Sequence, residues 1–171
     1  MIELRGADSY TGEWIRSDRW DHRPDLTGER VAVIGEGAAV AEVLPAVVAT
    51  AGRVRVFQTD PIWVLPRSPI PGTDPLLRRL PARGLRLAAR ANLRLQVRDS
   101  WVRRQLTPER PGVITLHDHY YAALRRDNCK LITFPIARFV PLGLRTVDGI
   151  EHRFDCIVLA GDPGAPHQEV A

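Results

Sequence analysis

Residues 30–57, Arg30-Val31-Ala32-Val33-Ile34-Gly35-Glu36-Gly37-Ala38 through Gly52-Arg53-Val54-Arg55-Val56-Phe57, decide the fold. Val31 to Ile34 is a short unbroken apolar run, the pattern of a strand buried on both faces in a parallel sheet. Gly35-Glu36-Gly37 turns the chain, and Ala38 to Ala51 reads as a helix despite Pro45. A helix-interior proline costs about 3 kcal/mol, so a kink is expected there. Gly52 is read as the residue that ends the helix. Arg53 to Phe57 is a second strand. Strand, glycine turn, helix and strand within one short stretch is a βαβ unit.

Outward from that unit, the chain divides into parts. Residues 1–29 are polar and turn-rich and are read as an arm leading into a single Rossmann-like domain over 30–162, with a loose tail at 163–171. A proline-punctuated stretch over 59–75 precedes a helical region from about Asp74 to Gln105, interrupted near Pro81 and Gly84. Val113 to Leu116 reads as a strand and Asp118 to Arg126 as a short helix. Lys130 to Phe134, Ala137 to Val140, Leu144 to Thr146 and Phe154 to Leu159 read as strands, with Asp148-Gly149 as a hairpin turn. The expected class is α/β, a three-layer domain with a parallel sheet, a helical insert and a small antiparallel meander.

The 171 residues, 44% hydrophobic and 26% charged, supply the core of one ordinary domain. No apolar run approaches the ~18 residues a membrane span needs. Met1-Ile2-Glu3-Leu4-Arg5 has no signal-peptide core, so a cytoplasmic location is expected, and no membrane partner. Two cysteines, Cys129 and Cys156, are too few for a disulfide framework or a zinc site, and no metal is expected. Of the 24 basic residues only Lys130 is lysine. Ten arginines between Leu76 and Arg110 face only Asp99 and Glu109, a local balance of +8 that leaves the rest of the chain at −4. Arg79, Arg83, Arg86, Arg90 and Arg94 share one helix face. Without interleaved aromatics to stack bases, that face reads as solvated, and no nucleic acid is expected.

A G-x-G opening a helix after a strand is the context in which pyrophosphate meets helix N-terminal N–H groups. Gly35, Gly37 and Ala38 are the candidate phosphate-binding residues. Val40 stands where the third glycine of the pattern falls, and Glu36 puts a negative charge beside the expected anion. At the end of the second strand an acid reads the ribose of NAD and an arginine the 2′-phosphate of NADP. Here Phe57-Gln58-Thr59-Asp60 occupies that place, with Arg55 and Arg67 as the nearest basic groups.

Gly35-Glu36-Gly37-Ala38-Ala39 followed by Val56-Phe57-Gln58-Thr59-Asp60-Pro61-Ile62-Trp63-Val64-Leu65-Pro66-Arg67 resembles the Baeyer–Villiger monooxygenases, flavin-containing monooxygenases of class B. Arg104 to Pro108, Asp118 to Leu124 and Phe154 to Ala160 resemble later segments of that family, so the resemblance runs over roughly residues 10–162. It implies a protein that uses FAD and NADPH on two nested domains, reduces flavin, traps oxygen as a peroxyflavin and inserts one oxygen atom into a substrate. Only the central NADPH-binding half is matched. No counterpart of the FAD glycine motif precedes Tyr10, and none of the later flavin and substrate segments follows Asp162, so a truncated chain that does not hold FAD on its own is expected.

The resemblance also breaks at specific positions. Tyr10, Gly12 and Trp20 match the family fingerprint F-x-G-x-x-x-H-x-x-x-W, but Arg16 stands for its histidine. Thr59 stands where the family arginine meets the 2′-phosphate. Gly112-Val113-Ile114-Thr115 replaces the segment whose arginine supports the peroxyflavin, and the closing A-T-G is reduced to Ala160-Gly161-Asp162. The expectation is a chain that has left flavin chemistry and acts on a small molecule, for example as a cyclase or isomerase. The alternatives are an NADP(H)-binding module, with Thr59 and Arg67 near the cofactor, completed by a separate flavin subunit, and a self-associating scaffold. A homo-oligomer is expected, because a lone half would bare its former flavin-domain interface.

His117, Asp118, His119 and Tyr120, at the end of a predicted strand, are the candidate catalytic residues, with Arg16 as an anion or carbonyl donor. Two histidines two apart on an extended segment share a face and suit acid–base work. The plain alternative is Asp118 capping the next helix beside solvated histidines. His152 and His167 read as isolated.

Overall fold

The computed structural model of the chain describes residues 5–17, 25–35, 37–58, 60–67, 81–108 and 114–161. A single 3-10 turn, Ala7–Ser9, leads into β1, Glu13–Arg16. Next come β2, Arg30–Gly35, α1, Gly37–Thr50, β3, Arg53–Phe57, and β4, Trp63–Leu65. The insert holds α2, Ala82–Gln96, and α3, Ser100–Gln105. After it come β5, Ile114–Leu116, α4, Tyr120–Leu124, and β6, Cys129–Ile132. The chain closes with β7, Ile136–Val140, β8, Gly143–Thr146, β9, Glu151–Arg153, and β10, Cys156–Ala160.

Five strands form one parallel sheet in the order β1-β10-β2-β3-β6. Its alternation sorts two cores. Val31, Val33, Val54, Val56, Cys156 and Val158 point to one face and pack against Val40, Leu44 and Val47 of α1. Ala32, Ile34, Phe57 and Ile157 point to the other, against Phe139 and Leu144 of the antiparallel sheet β7-β8-β9 and Phe154 just after it. The result is the three-layer α/β arrangement read from the sequence. Each layer is fixed by a period-2 strand pattern, because a one-residue slip would turn every core side chain to the wrong face.

Several boundaries differ from the sequence reading. Residues 13–16, placed in a lead-in arm, are an edge strand pairing with β10. Four residues, exposed at both ends and half-buried between, are too few to show a period. Tyr10 also belongs to the core, its hydroxyl donating to the Phe154 carbonyl at 3.2 Å. α1 runs on through Pro45, held by its buried face. Of the interruption expected near Pro81 and Gly84, Pro81 stands as the N-cap of α2 while the helix runs through Gly84; a break also lies at 97–99, where Asp99 caps α3 by accepting from the backbone N–H groups of Trp101 and Val102. β5 joins β4 in a separate two-stranded parallel sheet. The Asp148-Gly149 turn leads to β9, a strand missed in the sequence, whereas Cys156–Ala160 returns to the main sheet. The tail at 163–171, Thr59, Glu36 and Arg79 lie outside the described residues. Among the described residues no helix is long and apolar enough to cross a membrane.

Candidate functional site

All five strands of the main sheet end on one side, and the order places β2 between β10 and β3. The chain leaves β2 there through α1 toward β3, and the crevice outside the carboxyl strand ends is where open α/β sheets take ligands. Gly35 closes β2 tightly: a Cβ on it would lie 2.3 Å from the Ala160 carbonyl oxygen. Gly37 opens α1 with φ +62°, the left-handed region where a side chain is strained, and only Ile62, at 3.9 Å, approaches the place of its Cβ. Gly37 and Ala39 are half-buried and Ala38 is exposed. The first turn of α1 carries no acid of its own, and Glu36, directly before it, lies outside the described residues. Val40, at the third-glycine position, is fully buried, and the helix packs on the sheet without needing a glycine there. At the adjacent strand end, the Gly161 N–H donates to Ser17 Oγ at 2.9 Å. The residues present therefore fit the pyrophosphate of a dinucleotide: an open approach at Gly37, a first helical turn without an acid, and small residues on the rim.

The end of β3 is more closed. Gln58 is buried; its side chain donates to the Asp60 carbonyl at 3.0 Å and accepts from the Tyr120 hydroxyl at 2.7 Å. Tyr120 is fully buried, and burial pushes its hydroxyl pKa far up. Its expected catalytic role finds no support in this placement, because the phenol faces a neighbouring core amide rather than the solvent side. Arg67 is exposed past β4, its backbone N–H donating to Asp118 Oδ1 at 2.8 Å.

The Asp118 carboxylate thus ties the β4 exit to the β5 exit. It does not cap α4, whose N-cap is His119. His117 is bonded into β5's continuation, its N–H donating to the Leu65 carbonyl at 2.8 Å. Its Nδ1 accepts from the His119 N–H at 3.3 Å, which leaves the proton on Nε2 in the neutral ring. Burial, and then the nearby charges of Arg67 and His119, lower the His117 pKa. The two rings meet edge-on with centroids 6.4 Å apart. His117, Asp118 and His119 are brought together. Arg16 is not placed with them, since it ends β1 at the far edge of the main sheet.

One cluster was missed. His152, read as isolated, is buried between the antiparallel sheet and β3. Arg55 Nη1 meets its Nδ1 at 3.2 Å, and its Nε2 lies 3.3 Å from Thr146 Oγ1, which donates to Asp148 Oδ1 at 2.5 Å. Because guanidinium only donates, Nδ1 accepts and Nε2 carries the hydrogen. The ring lies edge-on to Phe57 and stacked on Phe154. The period-2 placement of Arg55 and Phe57 on the same face of β3 was the sequence signal.

No protein-family model matches the sequence. Among curated proteins, a Baeyer-Villiger monooxygenase of Streptomyces coelicolor is 32% identical over 189 aligned residues, taking in 91% of this chain and 36% of the relative. The FAD-binding monooxygenase ktnD of Aspergillus niger is 31% identical over 92% of this chain and 31% of that protein. The crystal structure of OTEMO in complex with FAD and NADP superposes with a TM-score of 0.78 at 25% identity, over 94% of this chain and 44% of OTEMO. Oxidized steroid monooxygenase bound to NADP shares the fold, with a TM-score of 0.78 at 22% identity.

This chain is a partial homologue of the Baeyer–Villiger monooxygenases. It spans about a third of the length of the curated relatives it matches. The likeness runs over more than nine-tenths of the chain in sequence and in structure alike. Of the departures from the Baeyer–Villiger pattern, Arg16 is an exposed residue at the end of β1, and Ile114 and Thr115 are half-buried in β5. Thr59, Gly112 and Val113 lie outside the described residues. Cys129 and Cys156, whose thiols burial pushes up to about 12, are protonated packing groups.

Proposed function

We propose that this chain is an NADP(H)-binding module of Baeyer–Villiger type, with the pyrophosphate seated at Gly35, Gly37 and Ala38. The observation that carries the reading is the first turn of α1, which holds no acid, opened by a left-handed glycine at the end of β2 with Ala38 exposed beside it. The NADP bound in the OTEMO and steroid monooxygenase structures adds support. Bound NADPH supplies a hydride. The protein's part is to hold the anion on backbone N–H groups and leave the nicotinamide end free at the crevice. Arg67, exposed beyond β4, is the cation for the 2′-phosphate, because Arg55, the other basic group near the end of β3, faces His152. In this reading FAD is not held by the chain alone, and a separate flavin subunit completes a redox unit.

Native mass spectrometry of the purified chain with NADPH or FAD added tests this. One NADPH per chain with no FAD is the expected result. Absence of an NADPH complex contradicts the reading, and the mass without ligand reports self-association.

A second reading rests on His117: a neutral, half-buried imidazole beside His119 suits a flavin-independent acid–base step on a small molecule, of isomerase or cyclase type. Its residues are His117, His119 and Asp118, without Tyr120. Loss of small-molecule stabilisation in His117→Ala, with NADPH binding intact, is the result expected of it.

A further inference from the structure

Helix α2 has two apolar faces. Leu85, Ala89 and Leu93 pack against the core. Gly84, Leu87, Ala88, Ala91 and Leu95 recur at helical spacing on another side and are all exposed, Leu87 at 68% and Leu95 at 81%. Trp101, 56% exposed, follows in α3. A surface helix ordinarily shows one apolar stripe and a polar remainder. Here the second stripe is bordered by exposed Arg83, Arg86, Arg90 and Arg94, and no acid occurs anywhere in α2. The Arg90 guanidinium is held 6.0 Å over the Trp63 ring, which anchors one of these cations on the helix surface.

We propose that this face of α2 docks an acidic amphipathic helix of another polypeptide. The apolar seam of that helix lies along Leu87, Ala91 and Leu95, and carboxylates on its flank meet the arginine row. The small residues Gly84, Ala88 and Ala91 let the two backbones come close. Charge selects the occupant: pairing this face with its own copy sets four arginines against four, whereas glutamates opposite them complete each guanidinium. The site is separate from the glycine turn, so its failure leaves the cofactor reading untouched.

The test uses the full chain and three probes: a labelled synthetic helix with a leucine seam flanked by glutamates, the same helix with lysines for the glutamates, and phosphatidylserine vesicles. The expected result is binding of the acidic helix alone, weakened by added salt. Leu87→Glu/Leu95→Glu should weaken it about tenfold or more. Both positions face solvent, so circular dichroism of this variant should match the parent. Unchanged binding by the double variant, no binding of the acidic helix, tighter binding to the vesicles, or a dimer abolished by the double variant each overturns the proposal.

Discussion

Where β1, β2 and β10 begin, Asp155 gathers the chain; where they end, glycines take its place. At the first edge Arg30 donates to Asp155 through Nε at 2.9 Å, Nη2 at 2.5 Å and its backbone N–H at 2.9 Å. The Glu13 N–H donates to the Asp155 carbonyl at 3.2 Å, so one residue joins three strands. At the second edge Gly35 packs against Ala160 and Gly161 against Ala39, whereas Gly37 has nothing nearer than Ile62 at 3.9 Å from the place of a Cβ. The difference teaches that one edge of the sheet is tied together by side chains and the other is closed by backbone and small residues, which is the edge where the proposed nucleotide would sit.

The largest expected effect breaks the glycine edge from within. Gly35→Ala sets a Cβ 2.3 Å from the backbone oxygen of Ala160, which cannot move without displacing β10. Overpacking of this kind should cost about 3 kcal/mol; a urea titration reads it as a lower midpoint at unchanged slope.

Next is the polar cluster behind β3. His152→Leu leaves Thr146 and Arg55 without their ring partner, at a cost of about 1–3 kcal/mol. Burial and then Arg55 lower the His152 pKa, so protons bind the unfolded chain more readily. Stability from His152 is therefore full above about pH 6.5 and declines as pH falls below it. The variant should flatten that part of the pH–stability curve. A curve that falls as steeply in His152→Leu points to another group.

A smaller effect sharpens the cohesive edge. The Arg30 guanidinium holds the Asp155 carboxyl down at about 2, below its usual value near 4. Its contribution is present above pH 4 and lost progressively between there and about pH 2. Both partners face solvent in part, which screens the pair. Asp155→Asn should reduce acid unfolding in that window only slightly and leave cofactor binding at pH 7 unchanged.

Much of this architecture was legible in residues 30–57, because a buried parallel strand and a glycine-opened helix each have a local signature. The edge strand β1 was not legible: Glu13 to Arg16 is short and half-exposed, and its partner lies more than a hundred residues away. β5 read correctly as a strand, but its pairing with β4 depends on tertiary placement that no period encodes. At the candidate site, Gly35 and Gly37 were legible as the turn between a strand and a helix. Tyr120 did not, since a tyrosine beside histidines reads the same whether its hydroxyl meets solvent or, as here, Gln58 in the core. His152 was hidden for the converse reason: its partners Arg55 and Thr146 come from two other strands.

The most direct measurement is calorimetric titration of NADPH into the full chain and into Ala38→Asp. Ala38 is exposed, and an acid in the first turn favours the helix itself, so the variant should fold as well as the parent. It also places a carboxylate where the pyrophosphate sits. The account predicts one site in the parent and binding weakened about a hundredfold in the variant, about 2.7 kcal/mol. Equal affinity in both, or none in either, would contradict a nucleotide site at the glycine turn.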